Sequence, residues 1–203
     1  VKLIEVLTGF KFIGQQILGF ENSGKGTYLF GFEESYGCLI GTYARDKDAI
    51  VATMALCEAA AYYKSKGLTL YDQMLNIYKE YGYYMEDTVA ITLEGKDGAE
   101  QIKNIMEKVR NNPPSEIGKH KVIKFIDYKK EIKINMQNGK EEKTNLPNSN
   151  VLYFELENDN WCCIRPSGTE PKIKVYIGAK GESMQEAQKI MQNLEEEAQK
   201  LLK

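Results

Sequence analysis

Around Tyr84–Asp87 the spacing of apolar residues changes period, and this limits the possible folds more than any other feature of the chain. Upstream the period is helical. Asp46–Lys66 is rich in alanine and carries Ile50, Met54, Cys57 and Ala61 at i, i+4, i+7 and i+11. Gly67 is placed to end that helix, with Lys64 and Lys66 where its dipole favours cations. Thr69 then caps a predicted helix over Leu70–Tyr81, with Asp72 three residues on and Leu70, Met74, Ile77, Tyr78 and Tyr81 as an apolar stripe. Gly82 stops it. Thr27–Phe32 (TYLFGF) reads as a buried strand entered from a turn at Asn22–Gly26, and Val1–Leu7 (VKLIEVL) as a further strand. Strands alternating with helices imply an α/β layer.

Downstream the period is mostly that of strands. These are expected at Thr88–Leu93, Lys121–Ile126, Glu131–Met136, Asn150–Glu157, Trp161–Arg165 and Lys172–Ile177, with a helix over about Gly98–Arg110. Gln137–Ser149 reads as a long polar loop or hairpin tip. A last helix starts at Ser183 with Glu186 completing a capping box, and Met184, Ala187, Met191, Leu194, Ala198 and Leu201 repeat at spacings of three and four. The seam is short and contains small residues, which favours a helix packed on a sheet over a coiled coil. This half is expected to be an α+β domain with a mostly antiparallel sheet and packed helices. The predicted domains are 1–85, α/β, and 86–203.

The 203 residues carry 27 Lys+Arg against 29 Asp+Glu, a net charge of −2, with 42% hydrophobic and 28% charged residues. Such a chain can bury a core, which excludes a disordered tail. The charge balance argues against a nucleic-acid or membrane-surface partner. No run approaches the ~20 apolar residues of a membrane span, and no signal peptide opens the chain. A cytoplasmic protein is expected. Val1 is not a natural start, and the chain reads as a piece of something longer. Cys38, Cys57, Cys162 and Cys163 form no CxxC pair, and they read as small buried hydrophobes of a reducing compartment.

Four short segments carry chemistry. Arg165–Lys172 (RPSGTEPK) joins two predicted strands. Its arginine fork, its hydroxyls at Ser167 and Thr169, and a nest of backbone N–H groups turned inward at Gly168 would suit a phosphate, without a P-loop. Gly31–Gly37 (GFEESYG) puts carboxylates and the Ser35 hydroxyl after an apolar strand, an arrangement suited to polyol hydroxyls. Arg45 and Lys47 lie at a helix start, the end that disfavours cations, so an anion nearby would account for them. Thr8–Lys11 (TGFK) reads as a glycine turn with a cation. The single histidine, His120, has no nucleophile elbow around it and reads as a surface residue. No Cys/His or Asp cluster has metal-ligand spacing.

In order, TGFKFIG (Thr8–Gly14), GFEESYG (Gly31–Gly37), ARDKD (Ala44–Asp48) and RPSGTEPKIKVY (Arg165–Tyr176) resemble the α-D-phosphohexomutase (phosphoglucomutase/phosphomannomutase) family. The resemblance covers essentially the whole chain. It implies most of the family's third domain, lacking its first strand and helix, followed by all of its fourth. By resemblance Glu33, Ser35, Thr8 and Gly9 contact the sugar, and Arg165, Ser167, Gly168 and Thr169 bind the non-reacting phosphate. Lys47 matches a lysine near the reacting group, for proton transfer or phosphate stabilisation.

The family's phosphoserine and Mg²⁺ loops have no counterpart here, so this chain alone is expected to be inactive. Its implied partners are a sugar phosphate and the missing N-terminal domains of the same chain, with glucose 1,6-bisphosphate as the intermediate. A phosphopentomutase of the same family, or a non-catalytic phosphosugar-binding module, is the alternative. An incomplete sheet would also favour swapping or dimerisation through its edge.

Overall fold

The structure is a computed structural model that describes residues 1–33, 37–93, 96–168 and 170–202. It divides into two compact units, Val1–Asn76 and Ile77–Lys203.

The first unit starts with a helix, α1 (Phe10–Ser23), where only a glycine turn was expected. Phe10, Ile13, Gly14 and Ile17 recur at helical spacing and form its inner face, and Gly24 ends it in a left-handed conformation. Strands β1 (Phe30–Glu33) and β2 (Gly37–Ile40) pair antiparallel, Phe32 opposite Cys38 and Glu33 opposite Gly37. Phe10, Ile17 and Leu39 form a small core with Ile13, Tyr28 and Ala44 against it, and the Tyr28 hydroxyl donates to the Leu39 carbonyl.

Helix α2 (Ala49–Ser65) is capped by Asp48, whose side chain accepts from the Ile50 and Val51 N–H groups. It ends in a Schellman motif. Gly67 is left-handed and donates to Lys64, and Leu68 donates to Tyr63. The stripe expected to be buried is exposed: Ile50 and Met54 keep 74% and 66% of their surface, and Cys57 is also open. The half-buried residues are Val51, Ala52, Ala55, Ala59, Ala60 and Tyr63. In so apolar and alanine-rich a helix, period alone singles out no face.

Helix α3 (Leu70–Tyr81) begins and ends where the sequence placed it. Thr69 and Asp72 form the reciprocal capping box, with N···O distances of 2.8 and 3.1 Å. Its expected stripe is open too, with Met74, Ile77 and Tyr81 exposed. Val1–Leu7 is not a strand. Among the described residues no backbone pairs with it, and an extended segment without a partner gains no ladder hydrogen bonds.

The second unit is built on an antiparallel sheet ordered β3-β10-β9-β8-β5-β6-β7, with the short β4 (Glu116–Ile117) beside β5. The strands are β3 (Tyr83–Thr92), β5 (His120–Asp127), β6 (Ile132–Asn135), β7 (Glu141–Lys143), β8 (Leu152–Leu156), β9 (Trp161–Pro166) and β10 (Lys172–Gly181). The stretch read as a polar loop or hairpin tip over Gln137–Ser149 holds the turn of the β6–β7 hairpin and β7 itself, whose side chains are exposed and polar and leave no apolar alternation. Helix α4 (Lys96–Asn111) contributes Ile102, Met106 and Val109 to the core. Helix α5 (Met184–Leu201) buries Ala187, Met191, Leu194 and Ala198 against β3 and β10, so its seam is a sheet-packing face. Ser183 accepts from the Glu186 N–H, and the Glu186 carboxylate takes the Glu182 N–H.

No cysteine is in a disulfide. Only Cys162 is buried, with its thiol pushed up by desolvation and then by Cys163; Cys38 and Cys163 are half-buried. His120 is half-buried on β5, its ring Nδ1 3.4 Å from the Asn160 amide. Among the described residues no helix is long and apolar enough to cross a membrane.

Candidate functional site

Residues of the TGFKFIG, GFEESYG and ARDKD segments meet in the first unit. Gly9, with φ of 115°, precedes α1 and lets the chain enter the helix, whose first turn has no side-chain cap. Thr8 is exposed beside it. Glu33 closes β1 and is the better buried partner of Lys47, whose Nζ lies 3.4 Å from its carboxylate. The same Nζ is 3.1 Å from Asp46 and 5.6 Å from the centre of the Phe10 ring. The Asp46 and Glu33 carboxylates hold the Lys47 ammonium above its ordinary pKa. Asp46 is held below the usual carboxylate range by the Lys47 backbone N–H and then by its ammonium. Ser35 lies outside the described residues.

The two cations expected at a helix start lie before it, because Asp48 is the cap and α2 begins at Ala49. Their roles differ. Arg45 is committed to the fold: Nη2 binds both oxygens of Glu21 on α1, and Nη1 donates to the carbonyls of Thr42 and Ala44. Its charge therefore needs no ligand to account for it. Asp48 is anchored in turn by its N–H to the Cys38 carbonyl and by the Tyr43 hydroxyl at 2.6 Å.

The RPSGTEPK segment joins β9 to β10, as expected of a loop between strands. Its neck is closed by the Ser167 N–H on the Lys172 carbonyl and the Lys172 N–H on the Glu170 carbonyl, both 2.7 Å. Gly168 is exposed with open space around its Cα, and its φ is not left-handed. The Ser167 N–H is thus spent inside the loop. Thr169 lies outside the described residues.

Arg165 faces Lys174 across the β9–β10 ladder. Two residues paired in an antiparallel ladder send their side chains to the same face, where like charges repel. Among the described residues neither has a carboxylate partner, whereas Lys172 pairs with Glu170 at 3.4 Å. The sequence reading passed over Lys174; the signal that exposes it is strand alternation counted back from Arg165 through the hairpin. It also passed over Phe10 and Gly37, which only the fold brings to Lys47.

The description "Phosphoglucomutase/phosphomannomutase, alpha/beta/alpha domain III" matches residues 1–81, and "Phosphoglucomutase/phosphomannomutase, C-terminal domain" matches residues 131–197. Phosphoglucomutase of Staphylococcus aureus (strain USA300) is 39% identical over 180 residues, 89% of this chain and 32% of the relative. Phosphoglucomutase of Staphylococcus haemolyticus is 37% identical over 177 residues, 87% and 32% respectively. The chain thus spans about a third of the length of these relatives. Among solved structures, the open form of the exocytosis-sensitive phosphoprotein pp63/parafusin (phosphoglucomutase) from Paramecium shares the fold. Its TM-score is 0.61 at 18% identity, covering 98% of this chain and 34% of that one. With both matched domains in the order in which their motifs occur, the chain belongs to the phosphoglucomutase/phosphomannomutase family.

Proposed function

We propose that this chain is the substrate-recognition part of a phosphoglucomutase/phosphomannomutase, interconverting hexose 1-phosphate and 6-phosphate through a phosphoserine and a bisphosphate intermediate. The observation that carries the reading is the juxtaposition of Arg165 and Lys174, two cations side by side on the ladder that leads into the RPSGTEPK loop. A dianionic phosphate relieves their repulsion, and the arginine fork matches two of its oxygens. Ser167 and, by family resemblance, Gly168 and Thr169 complete this phosphate subsite. Glu33 supports the sugar end, because its carboxylate can exchange the Lys47 ammonium for sugar hydroxyls. Thr8, Gly9 and Ser35 belong there by resemblance.

Lys47 is then left beside the substrate as a cation with a raised pKa. Its charged form suits stabilisation of a transferring phosphoryl group better than proton abstraction. Phosphoryl transfer asks mainly for positioning and charge of the protein, which is what these residues supply. The family's Mg²⁺ does not fit here: among the described residues no three acidic, His or Cys side chains converge. No step is assigned to it in this chain, and the chain alone is proposed to be inactive.

Calorimetric titration of the chain with glucose 1,6-bisphosphate tests the reading. Binding should weaken at least about tenfold in Arg165→Ala, the loss of one charge-assisted contact. An unchanged Kd in that variant would overturn the phosphate subsite.

A further inference from the structure

Besides the adjacent Asp46, the Lys47 side chain is held at three points, each from a different element. Its stem crosses the backbone of Gly37, the first residue of β2. A Cβ added to Gly37 would lie 2.3 Å from Lys47 Cδ and 3.2 Å from its Cβ and Cγ, so only glycine leaves room for the lysine there. Its ammonium then stands 5.6 Å from the centre of the Phe10 ring and 3.4 Å from Glu33 at the end of β1. Phe10 cannot follow a wandering cation, because it is 4% exposed and locked into the core with Ile17 and Leu39. Glu33 and Gly37 face each other across the β1–β2 ladder.

We infer that Gly37 and Phe10 are positioning residues for Lys47, seating its stem and its ammonium so that the cation stays at the Glu33 carboxylate end of β1. The inference rests on the reading of Lys47 as the cation that faces the transferring phosphate. A lysine on an open surface samples many rotamers, and holding it in one has an entropic cost that must be met by contacts made before substrate arrives. The ring face attracts the cation and the glycine gives its stem a track. When a polyol takes Glu33, the ammonium loses that carboxylate but keeps the Phe10 ring face and Asp46, and its stem keeps the Gly37 track, so it remains in place.

The test uses the full chain with ¹³C,¹⁵N-labelled lysine, recording spectra that correlate each Nζ with its Hε protons. The Lys47 signal is assigned by its loss in Lys47→Arg. In the wild type its Hε protons should be shifted upfield by the Phe10 ring, and it should titrate above an ordinary lysine. Phe10→Leu should abolish the upfield shift and leave a raised pKa, because Glu33 and Asp46 remain.

Gly37→Ala should abolish the upfield shift and lower the pKa towards the ordinary lysine value, with unchanged Ile17 methyl signals reporting an intact core. A Gly37→Ala spectrum that keeps both properties of Lys47 overturns the proposal, as does a Phe10→Leu spectrum that keeps the upfield shift. Glucose 1,6-bisphosphate is added last. If it leaves every lysine signal unmoved while the variants behave as described, the seat stands and the functional reading falls.

Discussion

Arg45 and Glu21 are joined through one guanidinium nitrogen: Nη2 lies 2.7 Å from one carboxylate oxygen and 2.6 Å from the other. Through this contact the segment leading into α2 is tied to the outer end of α1, while Nη1 gathers the Thr42 and Ala44 carbonyls. Both side chains are nearly half exposed, so solvent screens the pair and its worth is that of a surface contact plus two hydrogen bonds. Arg45→Ala should therefore cost the first unit about 1 kcal/mol, whereas Lys47→Ala should stay within about 0.5 kcal/mol of wild type. Urea unfolding of the two variants, followed by circular dichroism, checks this. A larger loss in Lys47→Ala would reverse the assigned roles.

In the second unit the equivalent tie is buried. Arg110, 3% exposed at the end of α4, donates through Nε to Asp127, through Nη1 to Glu107 and through Nη2 to Asn150. Asp127, fully buried, also accepts the N–H groups of Lys129 and Lys130. Removing the arginine leaves a buried carboxylate with only backbone partners, so Arg110→Met should destabilise the unit by about 3 kcal/mol. The denaturation midpoint should fall with an unchanged m-value.

Trp161, the only tryptophan, leans over Gly178 on the neighbouring strand and stacks on Tyr153 at 5.8 Å. A Cβ on Gly178 would lie 2.0 Å from the indole nitrogen. Gly178→Ala must push the ring off the sheet at a cost of about 1–3 kcal/mol. The tryptophan emission should move to longer wavelength in the folded variant. Emission identical to wild type would mean that the indole does not lie where it is placed.

The Glu195 carboxyl on α5 is raised above its ordinary pKa by burial and then by a hydrogen bond to Asp87 on β3. A carboxyl with a raised folded pKa holds its proton longer folded than unfolded. Its contribution is therefore present in full below the unfolded value of about 4.3 and lost as the pH rises through the higher folded value. Glu107, Asp46, Asp48 and Asp72 are lowered and act in the opposite sense, losing their contribution as the pH falls. The difference between wild type and Glu195→Gln isolates the one group. The variant should be the more stable at pH 7, and its advantage should shrink towards pH 4. An advantage independent of pH would rule out the shared proton.

What the sequence made legible depended on whether a residue's role is local. The Thr69–Asp72 box, the Gly67 stop and the strand–loop–strand around Arg165 are set by neighbours within a few residues, and they stand where the pattern put them, whereas the Asp48 cap starts α2 later than the pattern did. The failures were of two kinds. Helix α1 was missed because glycines at Gly14 and Gly19 weaken the helical signal, although Gly14 earns its place by close approach to the Arg45 carbonyl. The face of α2 was misread because alanine gives no contrast between sides. At the site, motif spacing brought Glu33, Lys47 and Arg165 into view. Lys174, Phe10 and Gly37 acquire their roles only through strand register and packing, which no motif records.

Ten-residue β3 finds its sheet partner in β10, and the ladder pairs Tyr83 with Gly181 and Thr92 with Lys172. On a ribosome, β3 emerges long before the strand that will cover its hydrogen-bonding edge, and every other strand of the unit is made in between. Closing so long a loop is slow relative to hairpin formation, so the sheet is expected to grow first from β5, β8 and β9 and to capture β3 last. A nascent chain halted before Lys172 would carry all the residues of β3 with its edge still open, and that edge is where a chaperone or a second unfinished chain would bind.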